Sequence, residues 1–221
     1  MTQLNPQIQD KQIQRQHSAE LIRAAKFVAI IRLAKFEEIA PVIECLVAGG
    51  IKVLEVTANT PCYLDAIDQA RDLYPDVLIG AGTIINLERA RLAIAAGAQF
   101  LVTPNTKPEI VEYAHQQGVP VLLGALTPTD IIAALDCGAD FIKVFPAGSM
   151  GIDYFKDLKG PYSDIDLMPV GGVNVDNVQD WFAAGAVGVG VGNDLTQAVY
   201  SEQDKLQRIA HVKKYLDQVP I

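Results

Sequence analysis

Two ionisable side chains stand where strands should be apolar. Lys143 lies within Phe141-Ile142-Lys143-Val144-Phe145-Pro146, and Glu55 within Val53-Leu54-Glu55-Val56. A lysine on a strand covered on both faces cannot reach bulk water. Desolvation then lowers its pKa and leaves a neutral, nucleophilic amine near pH 7. Such an amine adds to ketones and forms a Schiff base. A carboxylate in the same interior supplies the proton transfers that imine chemistry needs: the amine adds, a carbinolamine loses water, and a substrate proton moves. Two plainer alternatives stay open at this point. The lysine could snorkel outward from a half-exposed strand, or the two charges could form a purely structural ion pair.

The surrounding pattern bears on that choice. Short β-branched runs read as strands at Phe27–Ile31, Ile51–Thr57, Val77–Ala81, Phe100–Thr103, Val119–Leu123, Phe141–Phe145, Leu167–Val170 and Val187–Val191. Segments with helical periodicity lie between them, at Glu37–Ala48, Leu64–Leu73, Leu87–Ala96, Pro108–Gln117, Thr129–Asp136 and Val175–Ala184. Helix ends marked by glycine recur at Gly49, Gly97, Gly118, Gly138 and Gly185, a pitch of roughly 20 residues with some marks missing. Eight strands alternating with helices predict an α/β fold, a (β/α)8 TIM barrel with an additional N-terminal helix over Ser18 to Lys26. A doubly wound open sheet competes, and the lack of a GxGxxG after the first strand counts against its dinucleotide-binding form. Residues 1–17 hold six glutamines and few large apolar side chains, and read as a frayed polar tail. Residues 18–221 then form a single barrel domain. In a parallel barrel neither strand face offers a lysine easy solvent, which favours the chemical reading of Lys143.

Barrel sites lie at the carboxyl ends of the strands. Arg32 ends strand 1 and is either a surface arginine or an anion clamp. Thr83 follows Gly80-Ala81-Gly82 and could bind a carboxylate or carbonyl oxygen, or cap a helix. Thr103-Pro104 either contributes to the site or simply ends strand 4, and Phe145 follows the lysine. Gly171-Gly172 after strand 7 and Gly190-Val191-Gly192 after strand 8 leave backbone N–H groups free to approach a phosphate, unless they serve only tight turns. Asn193 reads as the N-cap of a helix behind that loop.

Composition narrows the function classes. The chain has 221 residues, 50% apolar, with a formal net charge of −8. No basic patch favours nucleic acid or an anionic membrane, and no apolar run is long enough to span a bilayer. Cys45, Cys62 and Cys137 are widely spaced and form no CxxC, which reads as reduced, mostly buried thiols in a cytoplasmic protein. His17, His115 and His211 show no metal-ligand spacing, so no metal is expected.

Leu54-Glu55-Val56-Thr57, Gly80-Ala81-Gly82-Thr83, Phe141-Ile142-Lys143-Val144-Phe145-Pro146-Ala147 and Pro169-Val170-Gly171-Gly172-Val173 occur in that order. Over about Leu21 to Leu216 the chain resembles the 2-keto-3-deoxy-6-phosphogluconate aldolase family, which includes 4-hydroxy-2-oxoglutarate aldolases. The resemblance implies a class I aldolase with no metal and no cofactor beyond the covalent lysine imine, acting on a small phosphorylated keto acid as a homotrimer. It implies Lys143 as the Schiff-base lysine, Glu55 as the general acid/base, and Thr83 as the group holding the pyruvate moiety. Gly171, Gly172 and Asn193 fall at the family's phosphate pocket. Three positions depart from the family pattern. Asn59 stands where many members carry a carboxylate-binding arginine, which leaves Arg32 to supply that charge. Thr103-Pro104-Asn105 replaces a Ser-Pro segment, and Asn193 replaces a phosphate-site serine. The expected reaction is retro-aldol cleavage to pyruvate and glyceraldehyde 3-phosphate. Cleavage of 4-hydroxy-2-oxoglutarate or decarboxylation of oxaloacetate would use the same imine. A phosphosugar epimerase, a thiamine-phosphate-synthase-like barrel or a non-catalytic phosphometabolite-binding barrel would use the phosphate loops without the lysine.

Overall fold

A computed structural model describes residues 6–220. Helix α1 (Pro6–Ala25) leads into eight strands: β1 (Phe27–Ile31), β2 (Val53–Thr57), β3 (Leu78–Gly82), β4 (Leu101–Val102), β5 (Val121–Ala125), β6 (Phe141–Val144), β7 (Leu167–Pro169) and β8 (Val189–Val191). The helices between and after them are α2 (Ile39–Gly49), α3 (Tyr63–Leu73), α4 (Leu87–Ala95), α5 (Pro108–Gln116), α6 (Pro128–Asp136), α7 (Ala147–Met150), α8 (Ile152–Lys159), α9 (Val178–Ala183) and α10 (Glu202–Leu216). All seven strand pairings are parallel, in the order β7-β6-β5-β4-β3-β2-β1-β8. The Val170–Gly190 bridge and a bond from Val187 N to Leu167 O (3.1 Å) close the ring. The fold is the expected (β/α)8 barrel.

Alternation along each strand divides the core in two. One set, including Ile31, Leu54, Ile79, Leu123 and Ile142, packs outward against the helices. The other set fills the barrel: Val28, Ile30, Val53, Leu78, Phe100, Val102, Leu122, Phe141, Met168 and Val170. Glu55 and Lys143 follow Val53 and Phe141 by two residues, so both project inward. Register places Gly80 beside Glu55 and Gly124 beside Lys143. A Cβ at Gly80 would meet the Phe100 ring at 2.5 Å, so that glycine makes room for a core side chain in the barrel interior.

Local chemistry sets the helix ends. Thr127 and Asp130 form a reciprocal capping box at the start of α6, and Asn86 and Ser201 cap α4 and α10. Four of the five expected glycine marks take positive φ, at Gly97, Gly118, Gly138 and Gly185. The fifth moves by one residue: Gly50 (φ 106°) is the left-handed cap, while Gly49 ends α2. A Cβ at Gly49 would approach Val212 of α10 to 2.5 Å, so that glycine serves packing instead.

The described part of the polar tail is helical, not frayed. From Pro6 to His17 it is the first part of α1, and residues 1–5 lie outside the described region. Polar bonds hold it. Lys11 Nζ donates to Gln117 Oε1 (3.2 Å), and Arg15 Nη1 donates to His115 Nδ1 (2.6 Å). His115 Nε2 in turn donates to Asp140 Oδ2 (2.9 Å). Further along, Ile22 is fully buried and joins Ala19 in the barrel-interior cluster, so α1 closes the amino-terminal mouth of the barrel. The thiols also differ from expectation: Cys45 is buried, Cys137 half-buried and Cys62 exposed. No helix among the described residues is long and apolar enough to cross a membrane.

Candidate active site

Lys143 and Glu55 are 5% and 2% exposed, inside the carboxyl-terminal half of the barrel. Burial pushes the Lys143 ammonium well below the ordinary lysine range; Glu55 opposes that shift and Arg32 adds to it. Burial raises the Glu55 carboxyl, against the pull of Lys143 and Arg32. No ion pair of 4.0 Å or less joins the two among the described residues, although each carries the other's charge as a perturbation. Both groups are therefore biased toward their neutral forms. The Lys143 Nζ sits 5.2 Å from the centroid of the Phe145 ring. These features disfavour both plainer alternatives: the lysine does not snorkel, and the pair is not locked.

Neighbouring glycines and a strained threonine shape the space. A Cβ at Gly82 would lie 1.6 Å from Glu55 Oε1, so the carboxylate occupies the volume that any side chain there would need. At Gly124 a Cβ would meet the backbone of Pro104 and Asn105 at 2.4–2.5 Å. Thr83 follows with φ 58°, a left-handed conformation unusual for a β-branched residue and common where function fixes the backbone.

A cavity of about 360 Å³ opens above these groups, within the size range of small-molecule sites. Nine of the twelve sequence-derived candidates line it: Arg32, Thr83, Pro104, Lys143, Phe145, Gly171, Gly172, Gly192 and Asn193. Three do not. Glu55 lies beneath, against Gly82. Asn59 is exposed at the rim, where its Oδ1 accepts from the Thr83 hydroxyl at 3.5 Å. Thr103 is fully buried; its hydroxyl accepts from Gly124 N (2.8 Å) and donates to Asn105 O (2.7 Å). Both bonds tie Thr103 to the strand ends around it, and it does not line the cavity.

Arg32 is exposed at the mouth and forms no ion pair with a described carboxylate. Its backbone is fixed from below. The buried Thr57 and Thr60 hydroxyls donate to Ile31 O (3.1 and 3.4 Å), and Leu33 N donates to Thr60 Oγ1 (3.4 Å).

The loops after β7 and β8 make the opposite wall. Gly171 (φ 88°) and Gly172 (φ 78°) are both left-handed, and a Cβ on Gly172 would come within 2.7 Å of Gly148 Cα. The backbone N–H groups of Gly172, Val173, Gly192, Asn193 and Asp194 donate to no backbone acceptor among the described residues, whereas Gly171 takes part in the closing Val170–Gly190 bridge. All six residues line the cavity. Five unpaired donors on two loops that line one cavity suit an anion with several oxygens. Asn193 is not a helix N-cap: residues 193–195 form a turn, in which Leu195 N donates to Gly192 O (2.8 Å), and α10 begins only at Glu202.

Of the six lining residues outside those candidates, two carry polar side chains, Asn174 and Asp194. Asn174 shapes the β7 loop, its Oδ1 accepting from Asp176 N and Asn177 N (2.9 and 3.1 Å). An Asn three residues before another Asn is a turn signal that could have marked it. Asp194 carries a carboxylate into the donor-rich wall, and nothing local in the sequence signals where that charge points.

Comparison with known proteins matches residues 19–212 to a family model described as KDPG and KHG aldolase. Among curated relatives, a 2-dehydro-3-deoxy-phosphogluconate aldolase of Haemophilus influenzae is 37% identical over 76% of this chain and 80% of its own length. A 2-dehydro-3-deoxy-6-phosphogalactonate aldolase of Escherichia coli is 35% identical over 87% of this chain and 95% of its own. Among solved structures, the KDPG aldolase of Legionella pneumophila, with pyruvate captured as a covalent carbinolamine, superimposes with a TM-score of 0.77. It is 28% identical, covering 90% of this chain and 96% of the other.

Proposed function

Because the chain belongs to the KDPG and KHG aldolase family, we propose that it cleaves 2-keto-3-deoxy-6-phosphogluconate to pyruvate and glyceraldehyde 3-phosphate through an imine on Lys143. The observation that carries this reading is an amine, almost fully buried and depressed in pKa by that burial, beneath a cavity walled by unpaired backbone donors. The neutral Lys143 amine adds to the C2 ketone, and the carbinolamine loses water to give the imine. The protonated imine accepts the electron pair released when the C3–C4 bond breaks, while the C4 hydroxyl loses its proton and leaves as the aldehyde. Glu55, with its carboxyl raised by burial, donates the proton that expels water, takes up the C4 hydroxyl proton and returns one to C3 of the enamine. Hydrolysis of the pyruvate imine frees Lys143. No cofactor is needed, since the imine is itself the electron sink.

Arg32 and Thr83 hold the keto-acid carboxylate at one side of the cavity. The β7 and β8 loops hold the phosphate by peptide N–H groups, because no lysine or arginine lies in either loop. Phe145 and Pro104 wall the reacting carbons, and Asn59 supports Thr83. The protein acts in the cytoplasm as a homotrimer. In support of assembly, Ile132, Leu135 and Met150 leave 36–43% of their surface exposed on the helices around the barrel.

A second substrate is favoured by one observation. The phosphogalactonate relative is matched over 95% of its length, so the C4 epimer belongs in the same assay. Pyruvate release coupled to lactate dehydrogenase, with both epimers and with EDTA present, tests the proposal. We expect cleavage of at least one epimer, undiminished by the chelator. Failure to turn over either epimer would refute it.

A further inference from the structure

Asp194 is out of place. It lines the cavity beside Gly192 and Asn193, on the wall whose unpaired N–H groups suit a dianion. A carboxylate facing that anion would repel it. Its Oδ2, however, is bonded on the other side. It accepts from the Tyr215 hydroxyl and from His211 Nε2 (2.9 Å). Arg208 Nη1 donates to the Asp194 backbone carbonyl (2.9 Å), and Nη2 to Gln197 Oε1 (3.2 Å). These donors stand at positions 208, 211 and 215 of α10, a spacing that puts them on one helix face.

The anchor is rigid. Tyr215 is fully buried, its ring edge-on to Phe27 at 5.5 Å and to His211 at 5.3 Å. Farther along the loop, Thr196 Oγ1 donates to Ile30 O at the end of β1 (3.1 Å). The β8 loop is thus tied at both ends, to the last helix and to the first strand.

We propose that Asp194, His211, Tyr215 and Arg208 form a positioning cluster that aims the Gly192–Asp194 N–H groups at the substrate phosphate and draws the Asp194 charge away from it. These residues touch no reacting atom. They set the preference for a phosphorylated substrate over its unphosphorylated counterpart. The inference rests on the phosphate site proposed above.

The test compares kcat/KM for 2-keto-3-deoxy-6-phosphogluconate with that for 2-keto-3-deoxygluconate, which lacks the phosphate. Wild type, Tyr215→Phe and His211→Gln are measured, each checked for a native melting profile. Tyr215→Phe removes one oxygen and keeps the packed ring; His211→Gln alters a partly exposed side chain and guards against a folding failure of the first. We expect each variant to lose on the order of tenfold in the phosphorylated-to-unphosphorylated ratio. Activity on the unphosphorylated substrate, and oxaloacetate decarboxylation, should stay near wild type. A large wild-type ratio that both variants leave unchanged would overturn the positioning role alone. A wild-type ratio near one would overturn the phosphate site and this inference with it. An equal loss on both substrates would make the cluster merely structural and would also overturn it.

Discussion

Lys143 and Glu55 divide the work by environment. Both are buried in one interior, and burial pushes each toward its uncharged form. A neutral amine adds to a ketone, and a protonated carboxyl can expel water. Glu55→Gln keeps the shape and removes the titrating group; kcat should fall by roughly 10²–10⁴, with slow imine trapping retained. Near-normal turnover in the folded variant would reduce Glu55 to a structural neighbour of Lys143. Arg32 offers a sharper reading, because its charge reaches both groups. Arg32→Ala should lower kcat/KM for any keto acid about 10- to 150-fold, the worth of a charge-assisted bond. It should also move a pH limb. Arg32 disfavours the Lys143 ammonium, so its removal raises the Lys143 pKa. The rise of kcat/KM with pH, which follows loss of that proton, then shifts to higher pH. An unmoved limb with an unchanged kcat/KM would assign the carboxylate to Thr83 and Asn59 alone.

At the scale of elements, the β7 loop and α1 make separable demands. Gly172 is left-handed and packed on Gly148, so Gly172→Val distorts the phosphate wall while Lys143 stays in its strand. Cleavage of the phosphorylated substrate should suffer far more than oxaloacetate decarboxylation. Equal damage to both would make Gly171 and Gly172 turn formers only. Helix α1 reaches no part of the cavity, but Arg15 and His115 tie it to Asp140, at the foot of the strand that carries Lys143. Deleting residues 1–17 should lower the melting temperature by several degrees and leave kcat near wild type at low temperature. A lost kcat with an unchanged melting temperature would contradict that division. What was legible in the sequence follows from what repeats. The strands and the helices that flank them were readable because period-2 and period-3.6 patterns each face a core. The first turns of α1 were not, because polar bonds to α5 hold them and Ile8 and Ile13 stay more than half exposed. Lys143 and Glu55 were visible as charges in apolar strands. Asp194 was not, since its partners lie 17 and 21 residues away on α10. The position of Thr103 outside the cavity was not legible either, because a hydroxyl at a strand end reads alike whether it faces a ligand or staples Gly124.

Across the whole molecule, the barrel gathers residues from six of its eight strand ends into one cavity, with Glu55 of β2 beneath it, while its amino-terminal mouth is plugged by α1. A net charge of −8 does nothing to attract an anionic substrate, so affinity must come from local donors and from Arg32. The proposed homotrimer predicts a solution mass three times the 23.9 kDa chain by light scattering; a monomer at assay concentration would rule it out. All of this presupposes the covalent step. Incubation with pyruvate and sodium borohydride, followed by peptide mass spectrometry, interrogates it directly. The account predicts a gain of about 72 Da, one pyruvate condensed and reduced, on the peptide containing Lys143, absent from Lys143→Ala. No adduct, an adduct on another lysine, or undiminished labelling of the variant would contradict it.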